Sequence, residues 1–388
     1  MRYETKRLVV LILIVFISGL SQGMLLPSLA YILDIMGISS TFNGLHAAGL
    51  YIGMLAAGPF MEPLLQKLGY KPMIVLGGLL VIVSLMLFPL WGALTFWFIL
   101  RLLIGFGDSV LHFATQTWIT DFTHAKNRGR TLSMYGLSFG IGFAFGPLVA
   151  ETVKMNQSLP FMISSVLSLL AWVTIFTLKN ESPTYETNKI SLAMTMKRVV
   201  RVVKIAWLAV VTILLFGYME ASLNNNFPIF ALRNNFEGQA FSFLFLFTIS
   251  ACIIQIPLGM WSDRFGRKRV LRIVLSIGTI AFLLLGVFHQ NIVLIAILLA
   301  IAGGALGSLF SLSIAYMADQ APKELLPAGN LICGMAYSVG CIFGPAIGGA
   351  AIEKVSSQSL FYTIFFALLL VSLAYFLKKD HSVQRKAT

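Results

Sequence analysis

Charged residues are scarce in this chain of 388 residues. They make up 11% of the sequence, whereas hydrophobic residues make up 58% and the mean hydropathy is +0.87. A soluble domain is about one quarter charged, so the composition excludes an ordinary soluble protein, and the low charge excludes a disordered one. The bilayer is the solvent that suits such a chain. Because a membrane-spanning helix needs about 20 apolar residues, and a span with its short connection about 30, the length allows roughly twelve spans.

Cysteine is nearly absent as well. Cys252, Cys333 and Cys341 all lie within apolar stretches, which excludes a disulfide framework. A P-loop, His-x-x-x-His and Cys-x-x-Cys spacings and a convincing Ser/His/Asp set are also lacking. These absences argue against ATP hydrolysis, a metal site and covalent catalysis. We therefore expect that the protein is not an enzyme and that it binds neither a metal ion nor a cofactor.

Hydropathy predicts an all-α membrane protein with twelve spans. The predicted spans are 8–33, 41–65, 73–92, 94–119, 130–153, 159–178, 205–231, 240–261, 271–288, 292–318, 329–352 and 359–377. One longer connection, 179–204, is basic and is expected to be a cytoplasmic loop. It divides the chain into one six-helix bundle at 1–178 and a second at 205–388, which ends in a short tail.

The basic residues predict the orientation in the membrane. If the N-terminus is cytoplasmic, most of the 28 Lys and Arg residues fall on the cytoplasmic side, and only Lys154, Arg233 and Lys354 lie outside. The positive-inside rule therefore places both termini in the cytoplasm. We expect the protein to lie in a bacterial-type inner membrane, which its chain crosses several times. Attraction to anionic lipid headgroups accounts for the net charge of +13 without a nucleic-acid partner.

The two halves repeat each other. Residues 136–147, GLSFGIGFAFGP, align with residues 334–345, GMAYSVGCIFGP, and Asp121 aligns with Asp319 at a nearly constant offset. Small residues let helices approach closely, so we expect packing or hinge roles at these glycines and prolines. They are Gly142, Gly146, Pro147, Gly340, Gly344 and Pro345. Parallel six-helix repeats place a substrate site between the halves, near the middle of the membrane.

A loop motif identifies a family. Residues 259–268, GMWSDRFGRK, and residues 101–107, RLLIGFG, occur together with the Gly-Pro repeats. The whole chain thereby resembles the major facilitator superfamily, in particular its twelve-helix drug:proton antiporter-like branch. The resemblance implies two bundles that alternately open to each side, a cavity surrounded by spans 1, 4, 7 and 10, a monomer, and proton coupling at Arg101. It implies a gating role for five loop residues, which are Gly259, Asp263, Arg264, Gly266 and Arg267. The first-half copy departs from the motif, with Glu62 in place of Gly and Gln66 in place of Asp.

Only two acidic residues lie deep inside predicted spans, Asp108 and Glu220. Ionisable groups at that depth are costly and usually face a cavity or a partner. At about 100° per residue, Arg101, Asp108 and His112 share one stripe of the fourth span. This stripe fits a static buried ion pair of Arg101 with Asp108, or a site for protons or substrate.

Glu220 lies near the middle of the seventh span, and Asn224 follows one turn later on the same face, so both are candidates for proton coupling or substrate binding. A buried carboxylate without a basic neighbour suits proton binding, and it attracts a cationic substrate. A hydrogen-bonded structural carboxyl is the alternative.

Together with the resemblance, these residues predict a proton-coupled secondary transporter that exports small amphipathic or drug-like compounds by alternating access. Its expected partners are the substrate, protons and membrane lipids. A lipid or glycolipid flippase and a specific metabolite exporter on the same fold are alternatives. An uptake symporter and a non-transporting membrane sensor or scaffold fit less well. The residues do not discriminate between proton and sodium as the coupling ion.

Overall fold

The computed structural model describes residues 2–124, 128–182 and 192–378, and it is all-α within these ranges. The α-helices are α1 (Arg2–Ile35), α2 (Ser40–Leu68), α3 (Tyr70–Leu87), α4 (Leu94–Phe122), α5 (Arg128–Ala150), α6 (Leu159–Val173), α7 (Leu192–Arg233), α8 (Ala240–Phe265), α9 (Arg267–Val287), α10 (Ile292–Leu306), α11 (Leu309–Gln320), α12 (Leu326–Lys354) and α13 (Ser359–Leu377).

The predicted number of spans is confirmed. Across the described ranges, twelve helical segments are long and apolar enough to cross a membrane. The tenth of them consists of α10 and α11 together, because the helix is interrupted at Gly307 and Ser308. Near this break α10 approaches α8 so closely that a Cβ added to Gly303 would lie 2.0 Å from the carbonyl oxygen of Phe247.

Glycines set the helix packing in the same way in each half. A Cβ added to Gly142 of α5 would lie 1.9 Å from the carbonyl oxygen of Phe16 in α1. Its counterpart Gly340 of α12 would come within 2.0 Å of the carbonyl oxygen of Leu214 in α7. Backbone contact of this kind is possible only without a side chain. The sequence repeat is therefore also a repeat of the α1–α5 and α7–α12 contacts.

The Gly-Pro pairs continue these contacts one turn further. Gly344 lies against the backbone of Tyr218 in α7, and Gly146 against that of Gly23 in α1. Pro147 lies inside α5 and Pro345 inside α12. The predicted packing role thus has a structural basis at both glycines, while the hinge role stays a prediction.

The two ends of the bundle differ in how the halves meet. We call the end at which α1 begins and α13 ends the terminal face, and the opposite end the far face. At the far face, Arg233 of α7 donates to Asp34 of α1 over 3.2 Å and to Ser40 of α2 over 2.8 Å. The backbone amide of Thr41 in α2 donates to Glu353 of α12 over 3.0 Å. The far face is therefore closed by contacts between the halves.

At the terminal face the halves are apart. Deeper in the molecule α5 meets α8, where a Cβ added to Gly140 would lie 3.2 Å from Sγ of Cys252. One turn nearer the terminal face, Gly136 has no atom within 4 Å of an added Cβ, and the same is true of Gly259 in α8 and Gly334 in α12. A cleft between the halves therefore opens towards the terminal face.

The predicted loop 179–204 differs from the structure in its second part. Residues 183–191 lie outside the described ranges, but α7 begins already at Leu192 and is kinked at Ala206. The reason is an amphipathic pattern in which Val199 and Val202 are buried while Lys197 and Arg201 are exposed. Such spacing favours a helix at the edge of the bundle.

Candidate functional site

Glu220 is placed where the two halves meet. It lies halfway along the apolar part of α7, is half-buried, and accepts a hydrogen bond from the hydroxyl of Tyr337 in α12 over 2.8 Å. The Tyr337 ring packs against Phe216 of α7 at 6.1 Å and Phe310 of α11 at 5.5 Å, measured between ring centroids. A carboxylate beside three aromatic rings suits a ligand with a cationic and an apolar part.

Polar side chains connect this carboxylate with the first half. Cys341, one turn after Tyr337 in α12, is fully buried and in hydrogen-bonding contact with the hydroxyl of Tyr51 in α2. Tyr51 in turn lies close to both Glu220 and Arg101. The contact between Tyr51 and Cys341 joins the halves close to the carboxylate.

Arg101 has an unusual environment. It is fully buried in α4, and Nε, Nη1 and Nη2 all lack a hydrogen-bond partner among the described residues. No ion pair with Asp108 is found there, since the two residues lie two turns apart on α4, roughly 10 Å along the axis. The predicted stripe exists, but the static ion pair of Arg101 with Asp108 is not formed.

Asp108 and His112 are brought together by a residue of α1. Ser18 donates to Oδ1 of Asp108 over 2.7 Å, and its Oγ lies 2.9 Å from Nε2 of His112. Nδ1 of His112 lies 2.5 Å from the hydroxyl of Tyr135 in α5. Asp108 is only 1% exposed. This group lies inside the first half and does not touch Glu220.

The asparagines that follow Glu220 serve mainly the backbone. Asn224 donates to the carbonyl oxygen of Glu220 over 2.9 Å. Asn226 donates to the carbonyl oxygen of Pro345 in α12 over 3.1 Å and to Ser222 over 3.3 Å. Asn226 thus stabilises the contact of α7 with α12 at the proline, and the predicted ligand role of Asn224 stays a prediction.

The loop motif ties three helices of the second half together. Arg267 donates to Asp319 of α11 over 2.8 Å and to Asp263 of α8 over 3.3 Å. Gly266 joins α8 to α9 with φ of +89°, a backbone conformation that favours glycine. Arg264 is exposed, and Gly259 faces open space. The predicted gating role of these residues stays a prediction.

In the first half a different carboxylate occupies the equivalent region. Glu62 and Gln66 are exposed on α2. Glu181, which follows α6, forms an ion pair with Arg7 of α1 and accepts from Nε1 of Trp118 in α4 over 2.8 Å. The start of the central connection therefore fastens α1 to α4 in the half whose loop motif is altered.

Sequence reasoning missed the hydroxyl and thiol groups of the site. These are Ser18, Tyr51, Tyr135, Tyr337 and Cys341. Each is a single polar residue in an apolar span, a signal too common to select. Among the described residues no group of three His, Cys, Asp or Glu side chains is arranged to hold a metal ion.

Sequence comparison gives one family and several relatives. The profile of the Major Facilitator Superfamily matches residues 11–252 and 238–388. The MFS-type transporter YfkF of Bacillus subtilis is 46% identical over 96% of this chain and 95% of its own length. Multidrug resistance protein 1 of the same organism is 26% identical over 94% of this chain and 95% of its own length, and multidrug resistance protein 2 is 25% identical over 89% of each.

Solved structures share the fold at low sequence identity. The nucleoside transporter NupG has a TM-score of 0.76 and 14% identity, covering 96% of this chain and 100% of its own. A bacterial homologue of the human lysosomal transporter Spinster, inward-facing and occupied, has a TM-score of 0.78 and 12% identity, covering 97% of both chains. These likenesses support the two-bundle architecture and say nothing about the substrate.

Proposed function

Because the chain belongs to the Major Facilitator Superfamily, we propose that this multi-pass membrane protein exports small amphipathic or drug-like compounds in exchange for protons. The observation that carries the proposal is the Glu220 site, a half-buried carboxylate bonded to Tyr337, whose ring packs against Phe216 and Phe310. The similarity to two multidrug resistance proteins supports export of drug-like compounds.

Glu220 would couple the two fluxes by exclusion. A carboxylate enclosed between closed halves is too costly to leave charged and unpaired. The halves therefore close around Glu220 only when it has bound either a proton or a cationic substrate. They then rock with one of the two bound. Proton entry down its gradient then drives the substrate out.

Dye export tests the role of Glu220. Wild type, Glu220→Gln and Glu62→Gln would be expressed in a bacterium without its own exporters, and ejection of ethidium followed with and without a protonophore. Glu62→Gln is the matched control, because it removes a carboxylate that is exposed on α2. We expect wild type and Glu62→Gln to eject ethidium and the protonophore to stop this ejection. We expect Glu220→Gln to eject no ethidium. Ejection that persists in Glu220→Gln would refute the coupling role.

We also propose that the terminal face is cytoplasmic, because basic residues concentrate there. Alkaline phosphatase and green fluorescent protein fused after residue 388 test this. Fluorescence without phosphatase activity is expected, and the opposite pair of results would reverse the orientation. With the terminal face in the cytoplasm, the cleft described above opens inward, ready to take up substrate from the cell.

A further inference from the structure

The hydrogen-bonded group inside the first half forms a continuous chain from the middle of the bundle towards the terminal face. It starts at Asp108, passes through Ser18 of α1 to His112 of α4, and ends at Tyr135 of α5, with heavy-atom distances of 2.7, 2.9 and 2.5 Å. His112 lies one turn nearer the terminal face than Asp108, because α4 runs in that direction. Tyr135 lies two turns from the start of α5.

The outer end of this hydrogen-bonded chain lies next to the open cleft. Tyr135 keeps an exposure of 9%, and the residue that follows it, Gly136, faces open space. Asp108, at the inner end, is 1% exposed and also borders a cavity of about 20 Å³ between α1, α3, α4 and α6, together with Ser18 and Ser168. That volume suits about one water molecule. It is far too small for an amphipathic substrate, so this cavity leaves room beside Asp108 for water but not for substrate.

Among the described residues, no ion pair competes with these hydrogen bonds. Besides Asp108, the titratable groups within the hydrogen-bonded chain are His112 and Tyr135. The nearest charged group on α4 is Arg101, which lies two turns away from Asp108. Helices α1, α3 and α6 contribute the neutral side chains of Ser18 and Ser168 and apolar groups to the cavity. The only side chain outside the hydrogen-bonded chain found to bond to Asp108 among the described residues is Gln22 of α1, a neutral amide that does not titrate.

We propose that Ser18, His112 and Tyr135 form a proton path that carries protons between Asp108 and the cleft, separate from the Glu220 site. On release, the carboxylic proton of Asp108 passes to Ser18 and the Ser18 proton passes to Nε2 of His112. The Nδ1 proton of His112 then passes to Tyr135, whose own proton passes to water. Afterwards Asp108 is ionised, the three intermediate groups are neutral as before, and Ser18 donates to Asp108 as the structure shows.

The path rests on the proposed proton coupling, but its test is independent of any substrate. The purified protein in lipid vesicles would be subjected to a pH jump, and time-resolved infrared spectroscopy would follow its carboxylic C=O bands. The band that disappears in Asp108→Asn reports Asp108, and the band that disappears in Glu220→Gln reports Glu220.

We expect Tyr135→Phe and Ser18→Ala each to slow the protonation change of Asp108 by at least about tenfold and to leave that of Glu220 unchanged. Tyr375→Phe is the matched control, since it removes a buried hydroxyl bonded to Thr212 in the second half and should leave the Asp108 rate as in wild type. Thermal unfolding checks that each variant is folded, and the conservative Ser18→Thr should restore the rate.

Two results would overturn the path. An unchanged Asp108 rate in both Tyr135→Phe and Ser18→Ala would mean that protons arrive by another route. An Asp108 band that does not change between pH 5 and pH 9 would mean that it does not exchange protons at all. A slowed band together with dye export that ignores the protonophore would support the path while refuting the proposed proton-driven export.

Discussion

Glu220 and Arg101 show how differently two buried charges are treated in this protein. Glu220 has the Tyr337 hydroxyl as a partner and stays partly accessible to the cleft. Arg101 is fully buried and none of its three nitrogens is bonded within the described residues. Burying a charged group without partners is costly. Arg101 lies next to Tyr51, where α2 meets α12. The cost of burying its unbonded guanidinium therefore depends on whether α2 and α12 are in contact.

The hydroxyl of Tyr337 is predicted to set the properties of Glu220. Tyr337→Phe keeps the ring and removes the hydrogen bond, which for a charged acceptor contributes about 1.5–3 kcal/mol. We expect dye export to slow by about tenfold or more at equal protein level. Tyr375→Phe is the control, because Tyr375 is a buried tyrosine bonded to Thr212 away from the cleft. Equal export by Tyr337→Phe and wild type would show that the hydrogen bond does not contribute.

On the scale of single helices, α4 divides one polar stripe between two neighbours. Periodicity brings Arg101, Asp108 and His112 to one side of the helix. Near the far face this side meets α2 and Tyr51, while near the middle it meets α1 and Ser18. One stripe thereby serves two structures, the contact between the halves and the chain inside the first half.

Helix contact through glycine makes a testable distinction within α5. Gly142→Ala would place a Cβ 1.9 Å from a backbone oxygen, whereas Gly136→Ala would meet no atom within 4 Å. We expect the former to destabilise the protein by about 1–3 kcal/mol, as overpacking does, and the latter to be neutral or slightly stabilising.

Thermal unfolding of the purified variants measures the difference, and the equivalent pair in α12, Gly340→Ala and Gly334→Ala, repeats it in the second half. Equal melting temperatures within each pair would contradict the close contacts of α1 with α5 and of α7 with α12.

For the whole molecule, the contacts between the halves are unevenly distributed. The far face is held by Arg233 with Asp34 and by Glu353 at the start of α2, and α2 lies backbone to backbone on α12. The described ion pairs near the terminal face each stay within one half or join it to the central connection. Opening to the far side therefore requires breaking polar contacts at one end only.

Reversing the charge of Arg233 should shift the balance between the two openings. Arg233→Asp replaces an attraction to Asp34 by repulsion, and a partly exposed pair of this kind contributes about 0.2–1 kcal/mol. We expect the population with an open far face to rise about two- to fivefold. Distances between spin labels on the exposed residues Phe42 and Val355 report it.

The double change Asp34→Arg with Arg233→Asp should return the distances towards those of wild type. A double variant as open as Arg233→Asp alone would show that the ion pair does not close the far face.

Much of the fold was predictable because it follows from local properties. Apolar runs predicted the twelve spans, and the repeat of Gly142 at Gly340 predicted equivalent packing in the two halves, which the helix contacts bear out. The helical start of α7 was missed, since basic residues there outweighed the burial of Val199 and Val202 in the hydropathy profile.

The candidate site was predictable only in part. Charge in an apolar span is a rare and local signal, and it selected Asp108 and Glu220. The partners were not predictable, because Ser18 and Tyr337 lie 90 and 117 residues away in sequence and look like ordinary polar residues of apolar spans. The expected ion pair of Arg101 with Asp108 does not form, because side chains on one stripe turn to whichever neighbouring helix lies opposite.

The sequence by itself determined the solvent, the number of spans, the two-fold repeat and the two deep carboxylates, since each depends on composition or spacing along one segment. The tertiary structure decided that Glu220 bonds to Tyr337, that Asp108 is connected to Tyr135, and that the cleft opens at the terminal face. Those features depend on contacts between distant helices, and their energies become defined only when the helices are packed.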